Sequence, residues 1–190
     1  MDLYEYQERA RSTAIYLEVE SSRLIYPALG IVGECGEVSE KVKKLIRDGN
    51  WDMTDKRRAA IGKELGDCCW YLANICCDTD LDLSMMYEMR GASILHQIRL
   101  LAFPQLVLHM NQHAVAVADA LQRWYYQFGG RPHERGQFTE LPNHLSHIIS
   151  CVEEIARRCD FTLEEIYVAN IENLTGRKQR GTLHGDGDDR

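Results

Sequence analysis

Glu34 and Glu37 stand three residues apart, and so do Glu64 and Asp67. Side chains at that spacing share one face of a helix, so two neighbouring helices would turn four carboxylates toward one another. Four like charges repel unless they are protonated or share a cation. Mg²⁺ and Mn²⁺ take carboxylate and water oxygens, and Mg²⁺ is commonly completed by substrate phosphates. The pattern therefore reads as a metal site for phosphate chemistry, with solvated helix face, the usual fate of Glu and Asp, as the alternative. Gly30, Gly33, Gly36, Gly62 and Gly66 interleave with these acids, although each glycine costs about 1 kcal/mol relative to alanine inside a helix. Small residues there let another backbone or a ligand come close. No Walker loop or Rossmann glycine fingerprint accompanies them.

Two further groups could hold metal. His109 and His113 are four apart, and His144 and His147 three apart; such pairs can bind Zn²⁺ or Ni²⁺ through imidazole nitrogens, the alternative being histidines at a helix surface. The seven cysteines include the adjacent pairs Cys68-Cys69 and Cys76-Cys77, whose spacing fits no common zinc knuckle and reads as reduced, buried thiols. Di-iron carboxylate sites use Glu-x-x-His, which does not occur.

The elements that must position these groups are helices. Leu3, Tyr6, Ala10, Ala14 and Leu17 recur at helical spacing behind a capping pair, Asp2 and Glu5. A second stripe, Ile31, Cys35, Val38, Val42 and Leu45, starts near Pro27 and stops at Asp48-Gly49-Asn50. A third helix is predicted over 54–79 on Ile61, Leu65, Cys68, Cys69, Leu72, Ile75 and Cys76. Further helices are predicted over 84–102, 104–128, 142–159 and 162–175; a polar loop spans Gly129 to Pro142, and a mobile Gly- and charge-rich tail starts at Gly176. Nothing alternates with a strand period, so the fold class is all-α, a four-helix-bundle-like single domain over 1–176 followed by a flexible tail over 177–190. Shifted by 80 positions, Leu65 aligns with Leu145, Ile75 with Ile155, Asp80 with Asp160, Leu83 with Leu163 and Tyr87 with Tyr167. This suggests two related helical halves, a motif-bearing one over 1–90 and an altered one over 91–176, unless any two amphipathic helix pairs look this similar.

The chain has 190 residues, 22 Lys plus Arg against 29 Asp plus Glu, and a formal charge of −7. The acidic balance argues against binding a nucleic-acid polymer. No apolar run approaches the roughly 20 residues of a bilayer span, and the opening MDLYEYQERAR is too charged for a secretory leader. A cytoplasmic location and no membrane partner are expected.

The segment Gly30 to Val38 with Glu34 and Glu37, continuing to Lys41-Val42-Lys43-Lys44, and then Lys63 to Leu72 with Glu64 and Asp67, resembles the MazG-type all-α nucleoside triphosphate pyrophosphohydrolases. Their signature is E-x-x-E, a spacer, then E-x-x-D; the spacer from Glu37 to Glu64 is 26 residues here. Tyr4-Glu5-Tyr6-Gln7, Asn170 to Leu174, Arg177 and the tail from Arg180 to Gly185 also look like phage and bacterial members. Asn173 stands where the family often has lysine, and residues 91–159 are an insertion or an altered half relative to short members. In that half His144 and His147 occupy the positions of Glu64 and Asp67, so a second acidic site is not expected.

The resemblance implies Mg²⁺-dependent hydrolysis of a (deoxy)nucleoside triphosphate between the α and β phosphates, giving the monophosphate and pyrophosphate in nucleotide-pool control, with Mn²⁺ able to substitute. It also implies a homodimer or homotetramer. Glu34, Glu37, Glu64 and Asp67 would be catalytic metal ligands, one glutamate orienting or deprotonating the attacking water. Tyr71 and Asn74, on the same face as the ligands, are candidates for sugar or base, against core packing and solvent respectively. Asn170, Arg177, Lys178 and Arg180 are candidates for phosphate, against simple solvation. Non-enzymatic alternatives are a helical interaction or regulatory protein and a nucleotide sensor that releases its ligand intact.

Overall fold

The computed structural model describes residues 1–16, 23–128 and 139–183. Among them are eight helices and no strand: α1 Leu3–Arg11, α2 Ile25–Gly49, α3 Asp55–Asp78, α4 Leu83–Glu88, α5 Ala92–Leu100, α6 Phe103–Phe128, α7 Leu141–Arg158 and α8 Leu163–Gln179. None of these is long and apolar enough to cross a membrane.

The apolar stripes explain the packing. Ile31, Cys35, Val38, Val42 and Leu45 of α2 and Ile61, Leu65, Cys68, Leu72 and Ile75 of α3 are buried in one core. Residues 50–54 join the two helices in a short turn. Asn50 adopts the left-handed conformation and donates its N–H back to Leu45 O, a helix stop that asparagine tolerates, and Thr54 caps α3 by accepting from the Arg57 N–H. The turn makes α2 and α3 antiparallel neighbours. α2 also packs on α6, α6 on α7, and α7 on α3, closing a ring of four helices. α1 and α8 lie against α3, while α4 and α5 lie against α7.

Several predicted boundaries move, each for a local reason. α1 ends at Arg11 rather than running toward Leu17, which lies outside the described residues. The hydroxyls of Ser12 and Thr13 donate to Arg9 O and Ala10 O, each at 2.7 Å, and so compete with helix continuation. The helix expected over 84–102 is two, because Gly91 forms the N-cap of α5 and Arg90 Nε folds back to Tyr87 O at 2.5 Å. α8 runs through Gly176, so residues 177–179 are helical rather than tail. The glycine that stops it is Gly181 (φ 69°), where Gly181 N–H and Thr182 N–H return to Lys178 O and Arg177 O. Residues 129–138 of the predicted loop and 184–190 of the tail lie outside the described residues.

The ends of α3 and α7 share one geometry. Asp80 and Asp160 have φ of 60° and 61°. Leu81 N–H donates to Cys76 O at 2.8 Å and Phe161 N–H to Ala156 O at 2.9 Å. The next helix is then capped by Asp82 in one case and by Thr162, with a complete capping box to Glu165, in the other. The aligned Leu83 and Leu163 are both buried.

Candidate functional site

The α2–α3 pair brings three of the four acids together. One carboxylate oxygen from each of Glu34, Glu64 and Asp67 lies within 4.8 Å of the other two. Glu64 is buried, while Glu34 and Asp67 are partly exposed. Glu37 stands apart: its side chain is half exposed and pairs with Lys41 at 3.8 Å. The reason is helical phase. Glu34 and Lys41 are two turns apart and share the face that meets α3, whereas Glu37, three residues from Glu34, is rotated by about 60° toward solvent.

Two lysines sit among the carboxylates. Lys41 Nζ is 3.1 Å from Glu64 Oε1, and Lys63 Nζ is 3.5 Å from Glu64 Oε2 and 3.9 Å from Asp67 Oδ2. The chain therefore offsets its own negative charge partly with ammonium groups, as clustered carboxylates in a half-buried place require. An octahedral Mg²⁺ spaces opposite ligand oxygens by about 4.2 Å. Three carboxylates spread over no more than 4.8 Å fit that ion after small side-chain rotations, and the donor set, oxygen only, is of the right kind.

Asp67 is oriented from across the fold. Asn170 of α8 donates from Nδ2 to Asp67 Oδ1 at 2.9 Å, and buried Tyr6 of α1 donates its hydroxyl to Asn170 Oδ1 at 3.1 Å. α8 comes this close because of Gly66, where an added Cβ would sit 2.9 Å from Asn170 Cβ. Asn170 thus reaches the acidic cluster, though as a partner of a carboxylate. Lys41, Lys63 and Tyr6 fall within the segments that carry the family resemblance, but the sequence assigned them no role at the site. The two lysines also lie four residues from an acid of the motif; Tyr6 reads as core of the first helix and as part of the opening Tyr4-Glu5-Tyr6-Gln7 segment.

Tyr71 lies at the same end of the pair. Its ring rests on Gly30, where an added Cβ would be 2.0 Å from Cε1, and it meets Trp70 edge-on at 4.8 Å and Tyr26 at 6.2 Å between centroids. Burial, then the neighbouring Tyr26 and the charges of Glu34 and Asp67, hold its hydroxyl protonated well above the usual tyrosine range. Asn74 is wholly buried rather than solvent-facing; it donates to Trp70 O at 3.0 Å and accepts from Arg11 at 3.4 Å. Lys178 Nζ donates to Ser12 O at 2.6 Å and Arg177 donates to Thr182 O, while Arg180 forms the C-cap residue of α8. Of the five glycines, Gly30, Gly62 and Gly66 admit side chains from other elements or turns, and Gly33 and Gly36 face open space.

The histidines also assemble. His109 Nε2 lies 3.2 Å from His147 Nδ1, and His113 Nδ1 lies 2.8 Å from His144 Nδ1. Burial, reinforced by the neighbouring imidazoles, lowers His113 to about 3 and also lowers His147, while burial lowers His109. All seven cysteines are free thiols. Cys35 and Cys68 touch across α2–α3 at 3.8 Å, and this contact, then burial, raises the Cys68 thiol.

No family model matches the chain, and no solved structure matches it. The chain is 41% identical over 87 residues to the "Gene 37 protein" of Mycobacterium phage L5, a match that covers 44% of this chain and 76% of the phage protein. On that identity and coverage, the chain belongs to the same family as the Gene 37 protein of Mycobacterium phage L5.

Proposed function

We propose that this protein is a MazG-like, Mg²⁺-dependent nucleoside triphosphate pyrophosphohydrolase acting on a (deoxy)nucleotide pool, with Mn²⁺ able to replace Mg²⁺. The observation that carries the reading is the convergence of Glu34, Glu64 and Asp67 within 4.8 Å across the α2–α3 pair. Glu34, Glu64 and Asp67 would hold Mg²⁺, which when bound would supply positive charge against the triphosphate and polarise a water for attack on phosphorus. The residues of the chain divide the remaining work. Asn170 fixes the rotamer of Asp67 by holding Oδ1, which keeps one lone-pair direction aimed at the cluster. Lys41 and Lys63 occupy the carboxylates in the resting protein and can turn toward phosphate oxygens when a cation takes their place. One of the glutamates orients or deprotonates the attacking water, and Glu34, the more exposed of the two in the cluster, is our candidate. Glu37 serves this reading from outside the cluster, by holding Lys41. Tyr71 offers a protonated hydroxyl and a ring edge to sugar or base. The same reading carries a homodimer or homotetramer, which light scattering on the purified chain tests.

The direct test is a screen of ribo- and deoxyribonucleoside triphosphates with Mg²⁺ and Mn²⁺, resolving monophosphate plus pyrophosphate from diphosphate plus phosphate. Glu64→Gln keeps size and hydrogen-bonding capacity but removes a charge from the centre of the cluster, and it should lower turnover by at least about a hundredfold. Undiminished turnover in E64Q, or release of inorganic phosphate in place of pyrophosphate, would refute the assignment.

A further inference from the structure

The α6–α7 pair carries its own cluster of metal-ligating side chains, separate from the carboxylates. Two histidines of α6 and two of α7 face one another across the packed helices. One ring nitrogen from each of His109, His113 and His147 lies within 4.8 Å of the other two. The His113 ring stacks on that of His147 at 4.0 Å with 6° between planes, so one of the two must rotate about its side-chain bonds for both to face a single ion, and the His144 ring stands 5.1 Å from His113. Three or four imidazoles turned inward on one another are an unusual choice for a helix interface, where apolar side chains would pack without desolvating nitrogen.

The geometry points to a binding site for a first-row transition ion of the Zn²⁺ class, held by His109, His113 and His147 with His144 beside them. Tetrahedral Zn²⁺ with nitrogens at about 2.0–2.1 Å separates its ligand atoms by about 3.3–3.4 Å. The His109–His147 pair, at 3.2 Å, already spans such an edge. The donor set is all nitrogen, which suits Zn²⁺, Ni²⁺, Cu²⁺ or Co²⁺ and not the oxygen-seeking Mg²⁺. Register adds an independent observation. His144 and His147 stand 80 positions after Glu64 and Asp67, on helices whose C-terminal breaks at Asp80 and Asp160 have the same backbone geometry. The second helix pair therefore places nitrogen donors where the first places oxygen donors, and an ion there would cross-link α6 to α7.

The competing account is a metal-free network of two hydrogen bonds, His109 with His147 and His113 with His144, in each of which one neutral ring donates and the other accepts. Untagged full-length protein, stripped with a chelator and dialysed, separates the two when titrated with Co²⁺. We expect a visible absorption band of tetrahedral intensity saturating at one equivalent, displaced by Zn²⁺ and unaffected by excess Mg²⁺, together with a Zn²⁺-dependent rise in the thermal midpoint. His113→Asn and His147→Asn, checked for helicity by circular dichroism, should each weaken Co²⁺ binding by at least about tenfold, the lower bound for losing even an outer-shell partner. The E64Q variant should lose hydrolysis and keep the band, which separates this site from the carboxylate one. The proposal is overturned if folded wild-type protein gives no band. It is equally overturned if the band survives in a folded H113N/H147N double variant, or disappears in E64Q alone.

Discussion

Replacing Gly30 by alanine tests whether the close approach of Tyr71 to α2 is real. On helix propensity alone, a glycine-to-alanine change in a helix interior stabilises by about 1 kcal/mol. At Gly30 the new Cβ would lie 2.0 Å from Tyr71 Cε1 and 2.2 Å from Cζ, whereas ordinary contact needs about 3.5–4.0 Å. The ring must swing away by more than 1 Å, and it is held by Trp70 and Tyr26. Overpacking of this kind costs about 1–3 kcal/mol, so the net change is a destabilisation of about 0–2 kcal/mol. Gly33 and Gly36, on the same helix, have nothing within 4 Å of an added Cβ, and alanine there should stabilise by up to about 1 kcal/mol. With about 2–4 °C per kcal/mol for a chain of this size, the G30A and G33A midpoints should differ by about 5 °C in thermal unfolding followed by circular dichroism. In a Tyr71→Ala background the clash is gone and Gly30→Ala should become stabilising. G30A as stable as G33A, or a G30A effect unchanged in the Y71A background, would refute the reasoning.

Asn170→Ala leaves Asp67 Oδ1 and the Tyr6 hydroxyl without the partner each now has, and should cost about 1–3 kcal/mol. If Asn170 orients Asp67 for chemistry, kcat should fall while KM for the triphosphate stays within a few fold. Asn170→Asp, which puts a second charge beside Asp67, should be worse than alanine in both respects. Glu154 accepts from Arg157 and Arg158 at 2.7–2.8 Å, and those hydrogen bonds, Arg157 first, hold its carboxyl below the usual range. A lowered carboxylate contributes stability that is present above its unfolded pKa, near ~4.3, and is lost as pH falls through the folded value. The unfolding free-energy gap between wild type and Glu154→Gln, about 1–3 kcal/mol at neutral pH, should therefore close in acid below that range. A gap that persists unchanged there would assign the effect of Glu154 to packing.

Much of the helical layout is legible from local chemistry. The stripes of α2 and α3 are buried as their periodicity requires, and the stops at Asn50 and Asp80 follow from residues that tolerate left-handed backbone. The boundaries that move do so through side chains reaching back to backbone, as at Ser12, Thr13 and Arg90, or through a choice between two glycines, Gly176 and Gly181, that look alike in one dimension. Glycine clusters were likewise ambiguous. Gly30 and Gly66 are spaces for Tyr71 and Asn170, whereas Gly33 and Gly36, identical in type and each directly before a glutamate, meet nothing within 4 Å among the described residues.

Residue spacing along one helix specifies which side chains share a face, because 3.6 residues per turn is a property of the backbone. That is enough to pair Glu64 with Asp67 and His109 with His113. Which faces meet depends on how helices rotate and pack around a common core, and that rests on contacts between residues far apart in the chain. Packing therefore decides that Glu34 joins the cluster while Glu37 pairs with Lys41 at its edge. It brings Asn170 to Asp67 across 103 residues. It also turns two unremarkable histidine pairs, 31 and 38 residues apart at their contacts, into one imidazole cluster.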